Sequence, residues 1–195
     1  MNRYSETEKS DKKQSTQEII DIKFLDQRHI YLWGPVDDSS AKDIVSKLHY
    51  LESIKPGEKI TFFINSPGGV VTAGYSIMDT MDLISSPVST VCMGIAASMG
   101  SILLSAGTKG ERYIYPMGEV MIHQPSMGYL QGSASDIEIH AKQIIRTKDL
   151  AAEILAKNCG KTVKQVLNDF ERDYWMNAKE SLDYGIVDAL FKLKK

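Results

Sequence analysis

Along this chain, stretches where apolar residues recur every second position alternate with stretches where they recur every three or four. His29 to Gly34 has the short period, with Ile30 and Leu32 on one face and Tyr31 and Trp33 on the other, as in a strand. Ser40-Ala41-Lys42-Asp43 has the capping-box form, and Ile44, Leu48 and Leu51 follow at helical spacing until Pro56-Gly57 ends the run. Ile60 to Ile64 reads as a short buried strand, Ser66-Pro67-Gly68-Gly69 as a turn, and Val70, Ile77 and Met81 as one face of the next helix. Val88 to Met93 predicts a third strand, with helix following from about Ser98. Tyr113-Ile114 and Val120-Met121-Ile122 predict two more short strands, and Gln124 to Ser133, with Pro125, Gly128 and Gly132, reads as loop.

Ser135-Asp136-Ile137-Glu138 is another capping-box pattern. It opens the longest predicted helix, with Ile137, Ala141, Ile144, Ala151 and Leu155 on one stripe and Gly160 at its end. At 1.5 Å per residue that helix would be roughly 35 Å long, unusual for so small a domain. Thr162 to Gln165 and Asn177 to Glu180 look like two further helix starts. Residues 1–17 are polar with charges of both signs, which predicts a mobile N-terminal arm ahead of one folded domain, 18–195. Strands alternating with helices predict an α/β domain with a mainly parallel sheet.

Composition narrows the class. The 195 residues carry 23 Lys and Arg against 25 Asp and Glu, a net charge of −2, which gives no broad basic surface for nucleic acid. The two cysteines, Cys92 and Cys159, make neither a disulfide framework nor a metal-ligand pair, and no histidine cluster has metal spacing. The first residues lack the apolar stretch of a signal peptide, so a cytoplasmic location is expected. No residue between Asp82 and Lys109 is charged, and the stretch is long enough to span a bilayer. It is broken by Pro87, Gly94, Gly100 and several serines, so it reads instead as a buried strand, a tight turn and a buried helix.

The chemistry concentrates at Gly94-Ile95-Ala96-Ala97-Ser98-Met99-Gly100-Ser101. A serine between small residues at a strand-to-helix step resembles a nucleophile elbow, and the helix N-terminus supplies free N–H groups; equally, Ser98 could simply cap the helix. A nucleophilic serine needs a base. His29, His49 and His140 read as surface or packing residues, whereas His123 ends an apolar strand beside a loop. The orienting acid is open among Asp136, Asp149, Asp169, Asp173, Asp183 and Asp188; Asp173, between Arg172 and Tyr174-Trp175, is expected to be partly buried or paired with Arg172. Gly68-Gly69 allows close approach of a substrate or another backbone, but it is neither a P-loop nor a dinucleotide fingerprint. Cys92 reads as a buried filler, and Met117, Met121 and Met127 as gap-fillers.

Taken together, Phe63 to Gly69, Gly94 to Ser101, Met121 to Pro125, Asp136 to Ala141, Glu171 to Asp173 and Tyr184 to Asp188 resemble, in order, the proteolytic subunit family of the ATP-dependent Clp protease (ClpP). The resemblance spans about Ile22 to Leu190. It implies a serine endopeptidase on a ClpP/crotonase-like spiral of ββα units, with Ser98 as nucleophile, His123 as general base and acid, and Asp173 fixing the imidazole. The Gly69 and Met99 N–H groups would form the oxyanion hole. The stretches Gly68 to Val71 and Ser126-Met127-Gly128 would hold the peptide as an added strand. It further implies stacked heptameric rings, a tetradecamer in which the long protruding helix meets its counterpart and Arg172 couples ring contact to the triad. A separate AAA+ unfoldase would deliver unfolded polypeptide and use the ATP, so no cofactor is expected in this chain.

Two features depart from that pattern. The arm is polar where the family starts apolar, and the His123–Asp136 interval is a residue longer. Both would suit a structural subunit of a mixed ring with a second paralogue and little intrinsic activity. An acyl-CoA enzyme of the crotonase type is the other alternative, disfavoured by the serine–histidine–aspartate set.

Overall fold

A computed structural model describes residues 15–128 and 131–192. The elements run α1 (Thr16–Asp26), β1 (His29–Trp33), α2 (Asp38–Ile54), β2 (Ile60–Ser66), α3 (Val71–Leu83), β3 (Val88–Ala97), α4 (Met99–Ser105), β4 (Arg112–Ile114), β5 (Glu119–Ile122), α5 (Ala134–Cys159), α6 (Val163–Asp169), β6 (Tyr174–Asn177), α7 (Ala178–Tyr184) and β7 (Ala189–Leu190). They form one mixed α/β domain. Its sheet is ordered β1-β2-β3-β4-β7, with β5 beside β3 and β6 beside β5. Every pairing is parallel except β5–β6. The core is aliphatic, built from Ile30, Leu32, Ile44, Leu48, Phe62, Ile64, Ile77 and their neighbours.

Several boundaries move for identifiable reasons. Helix α2 starts at Asp38, earlier than the Ser40 box suggested, because Asp37 is the N-cap: its carboxylate accepts from the Ser40 N–H and the Ser40 hydroxyl accepts from the Asp37 N–H. Likewise α5 is capped by Ser133, which exchanges the same pair of bonds with Asp136, so Ser135 lies inside the first turn. Ser15, Thr16 and Gln17, assigned above to the arm, instead cap and open α1 through a Ser15–Glu18 box. The remainder of the arm, 1–14, and the loop positions 129 and 130 lie outside the described residues.

Strand β3 runs on to Ala97 rather than stopping at Met93, and this decides where the site forms. Its first half, Thr90 to Cys92, pairs with β4; its last three residues, Ile95 to Ala97, pair with β5. Gly94 sits between the two segments at φ 80°, a conformation that only glycine adopts freely. A sheet whose strand changes neighbours opens a crevice at the strand's carboxyl end, where α/β proteins place ligands. The uncharged stretch from Leu83 to Thr108 is thus the end of α3, strand β3 and helix α4. Among the described residues no helix is long and apolar enough to cross a membrane.

Helix α5 has 26 residues and is about 39 Å long at 1.5 Å per residue. Only its C-terminal half is buried, through Ala151, Ala152, Leu155, Ala156 and Cys159. Of the expected stripe, Ile137 is 46% exposed, and Ile139 and Ile145 are exposed beside it. The first half of the helix therefore projects from the domain.

Two polar anchors hold the fold around its apolar core. Arg112, 1% exposed, donates Nε and Nη2 to the Asp188 carboxylate at 2.8 and 2.6 Å and reaches the Asn158 and Gly185 carbonyls. It thereby fastens β4 to the end of α5 and to the segment before β7. Burial opposes ionisation of Asp188, but the Arg112 guanidinium outweighs it and holds the carboxyl below its ordinary range. Removing one partner of such a pair strands the other, so Arg112→Met is expected to cost about 3–5 kcal/mol of unfolding free energy, measured by chemical denaturation.

Glu52 on α2 accepts from the Ser85 hydroxyl and N–H at 2.5 and 3.0 Å and from the Ser86 N–H at 3.1 Å. These bonds lower its pKa from 4.5 to about 2. Between those values the unfolded chain binds the extra proton, so the contribution of Glu52 is complete above about pH 5 and fades as pH falls toward about 2. Glu52→Gln should therefore flatten the decline of Tm with pH in that window, which a pH series of thermal melts would show.

Candidate active site

Ser98 follows the last β3 residue and precedes α4. Its backbone lies at φ 52° and ψ −122°, strained for a residue with a side chain. The strain is held from both sides. The Ser98 N–H donates to the Met121 carbonyl at 2.9 Å, and its carbonyl accepts from the Ser101 N–H at 3.0 Å and the Ser101 hydroxyl at 2.6 Å. The Ser98 side chain makes no capping bond, so the simple helix-cap reading of this serine does not hold. Its Oγ lies instead 2.9 Å from His123 Nε2.

The β5–β6 ladder explains the next contact. Ile122 pairs with Tyr174 in antiparallel register, which sets the following residue, His123, across from the preceding one, Asp173. Asp173 Oδ1 lies 3.1 Å from His123 Nδ1. Neither burial nor Arg172 holds that aspartate as the sequence had suggested. Its side chain is 60% exposed, its aromatic neighbours Tyr174 and Trp175 are exposed too, and Arg172 makes no ion pair with it among the described residues. A strand end projects the acid, and the cross-strand position aims it.

The other candidates fall away on geometry. The Asp136 carboxylate accepts from the α5 cap Ser133, Asp169 accepts from Tyr184, Asp183 pairs with Lys179, Asp188 pairs with Arg112, and Asp149 is exposed on α5. His29 packs edge-on against Phe63, where burial lowers its pKa, and His49 and His140 are exposed. Burial pushes the Cys92 thiol up to about 12 and the Cys159 thiol to about 11, so neither supplies a thiolate near neutral pH.

Gly68 and Gly69 pack the turn after β2 onto this serine. Gly68 has φ 92°, and a Cβ on it would lie 2.6 Å from the Ser98 Cβ and 2.9 Å from the Met99 N. Gly69 has φ 149°, and a Cβ there would meet the Val36 carbonyl oxygen at 2.2 Å. The turn is fixed by the Val36 N–H to the Gly68 carbonyl and the Val70 N–H to the Val36 carbonyl, both at 2.8 Å. The Gly69 and Met99 N–H groups find no acceptor among the described residues, as expected of Met99 in a first helical turn. Val70 is 49% exposed and Val71 half-buried, while Ser126, Met127 and Gly128 are exposed and outside regular structure.

A narrow recess adjoins the serine, lined by Val71, Tyr75, Ser98, Met99, Ile102, His123, Pro125, Thr147 and Ala151. Tyr75, Ile102, Thr147 and Ala151 were missed as site residues in the sequence; Tyr75 lies four positions after Val71 on α3 and Ile102 three after Met99 on α4, whereas no candidate residue on α5 pointed to Thr147 or Ala151. The Tyr75 hydroxyl is buried without a hydrogen-bond partner among the described residues.

A hydroxyl, an imidazole and a carboxylate stand in hydrogen-bond sequence beside backbone amides that have no acceptor among the described residues, an arrangement that can serve nucleophilic acyl transfer. The family model for Clp protease matches residues 11–194, and the chain belongs to the Clp protease family. Membership makes it a peptidase-type proteolytic subunit, and the mixed α/β domain with its long helix agrees with that fold.

Gly68→Ala should displace the Ser98 turn. The expected outcome is a fall of about 10²-fold in the rate at which a fluorophosphonate labels Ser98, with far-UV circular dichroism unchanged.

Proposed function

We propose that this chain is a serine endopeptidase, the proteolytic subunit of an ATP-dependent protease that cuts unfolded proteins into short peptides. The observation that carries the reading is the chain of contacts from Ser98 Oγ to His123 Nε2 at 2.9 Å and from His123 Nδ1 to Asp173 Oδ1 at 3.1 Å.

In this reading Asp173 accepts from Nδ1–H, which leaves the Nε2 lone pair facing the serine. His123 takes the Ser98 proton as Oγ attacks the peptide carbonyl, then passes it to the leaving amine. The same imidazole then activates the water that hydrolyses the acyl-enzyme. The Gly69 and Met99 N–H groups receive the developing oxyanion, where one such donor is worth about 10²–10³ in rate. The peptide lies as an extended strand between Gly68–Val71 and Ser126–Gly128, bound mainly through its backbone, with one side chain entering the recess beside Ser98.

The projecting half of α5 would meet its counterpart in an opposed ring of a stacked heptameric assembly, with Arg172 linking that contact to the triad. ATP would be used by a separate AAA+ unfoldase, and the chain itself would need no cofactor. A cytoplasmic location fits such a role.

Hydrolysis of a short fluorogenic peptide tests the reading. Ser98→Ala should reduce kcat below about 10⁻³ of the wild-type value. Asp173→Asn should reduce it by up to about 10⁴-fold. Equal rates for wild type and Ser98→Ala would refute the assignment. Hydrolysis only after addition of a second ring subunit would favour the mixed-ring reading, which the polar arm and the longer His123–Asp136 interval suggest.

A further inference from the structure

The His123–Asp173 contact poses a physical problem. Asp173 is 60% exposed and, among the described residues, bonds only His123. An exposed pair of this kind has little strength of its own, because water competes for both partners and ordering them costs entropy. Its geometry must come from the backbone. On one side it does, since the Ile122–Tyr174 rung closes the β5–β6 ladder directly before the pair. On the other side the ladder has ended, and residues 170 to 172 form a turn.

Gln124 takes over at that point. Its backbone N–H donates to the Phe170 carbonyl at 2.8 Å, and its side-chain Nε2 donates to the Glu171 carbonyl at 3.0 Å. Phe170 is fully buried, so the first bond has a fixed foundation. The second lies in the open and reaches the residue two before Asp173; it forms beside the first, which already fixes the Gln124 backbone against the buried Phe170. The histidine–aspartate pair thus sits between a strand rung and a side-chain clamp, and the clamp belongs to the residue next to the histidine.

We propose that Gln124 is a positioning residue that holds Asp173 against His123 Nδ1 and so keeps the imidazole in the tautomer that leaves Nε2 open to Ser98. The proposal rests on the triad reading given above. Gln124 need not touch substrate; it acts through Asp173 alone. Its amide is needed for the N–H donor, and a side chain of the same length without that donor would leave the Glu171 carbonyl to water and let the segment bearing Asp173 move.

A double-mutant cycle tests this. Gln124→Met keeps the length and removes the donor. In peptide hydrolysis it should lower kcat about 10-fold with KM nearly unchanged, and add no further loss in an Asp173→Asn background. Gln124→Lys, which restores an N–H donor of similar reach, should recover kcat to within about threefold of wild type. A second readout does not need turnover. In ¹⁵N-histidine spectra of the assembled protein, neutral His123 should be a single Nδ1–H form in the wild type and a mixture of tautomers in Gln124→Met and Asp173→Asn. Losses that multiply in the double mutant, or a single Nδ1–H form retained in Gln124→Met, would overturn the proposal. Failure of the triad reading looks different: hydrolysis would then survive Ser98→Ala, while the spectra would still decide whether Gln124 sets the tautomer.

Discussion

Everything at this site depends on one close approach of backbones. The Gly68 turn lies so near the Ser98 turn that no Cβ fits between them. That approach requires glycine at Gly68, a positive φ at Ser98 and a β3 strand long enough to deliver the serine to the same level. Backbone strain at Ser98 is of the order of 1–3 kcal/mol and persists because surrounding bonds over-determine it. Those bonds come from β5, through the Met121 carbonyl, and from the first turn of α4, through Ser101. Gly100 completes the arrangement by letting α4 close on Ser66, where a Cβ would lie 3.1 Å from the Ser66 carbonyl oxygen. The Ser98 turn, the two amides without an acceptor among the described residues, and the recess are three results of the same packing.

Much of this was legible in the sequence, for reasons that can be named. Apolar periodicity located β1, β2, α2 and the buried part of α5, because burial on one face is what a period encodes. Caps were harder: Asp37-Asp38-Ser39-Ser40 and Ser133-Ala134-Ser135-Asp136 each offer several polar residues in a row, and side-chain geometry, not residue type, decides which one caps. Helix α1 escaped notice because its apolar residues, Ile19, Ile20, Ile22, Phe24 and Leu25, form no stripe and only Leu25 packs against the core, although its Ser15–Glu18 box is present in the chain. The extension of β3 beyond Gly94 was hidden for a different cause. A glycine with positive φ reads locally as a turn, and only pairing with the distant β5 shows that the strand continues.

The site followed the same division. Ser98, His123 and Asp173 belong to motifs whose order pointed to them, and the structure brings their side chains together. What the motifs did not carry was the environment. Flanking aromatic residues suggested burial for Asp173, yet β6 lies at the border of the sheet and leaves it open. The recess was equally silent, since Tyr75, Thr147 and Ala151 come from helices that are distant in sequence from Ser98. Residue type reports chemistry well; it reports neighbours only where a period or a register ties them together.

The exposure of Asp173 carries a consequence for the medium in which such a site works. A carboxylate in open water feels the ionic atmosphere, which at physiological salt weakens charges over a Debye length of about 8 Å. The bond from Ser98 to His123 is part-buried and largely shielded from that atmosphere, whereas the bond from His123 to Asp173 is not. One half of this pair of contacts is thus set by packing and the other by solution conditions. Any surface that later covers Asp173 would change its dielectric surroundings and strengthen the outer half without moving an atom of the inner one.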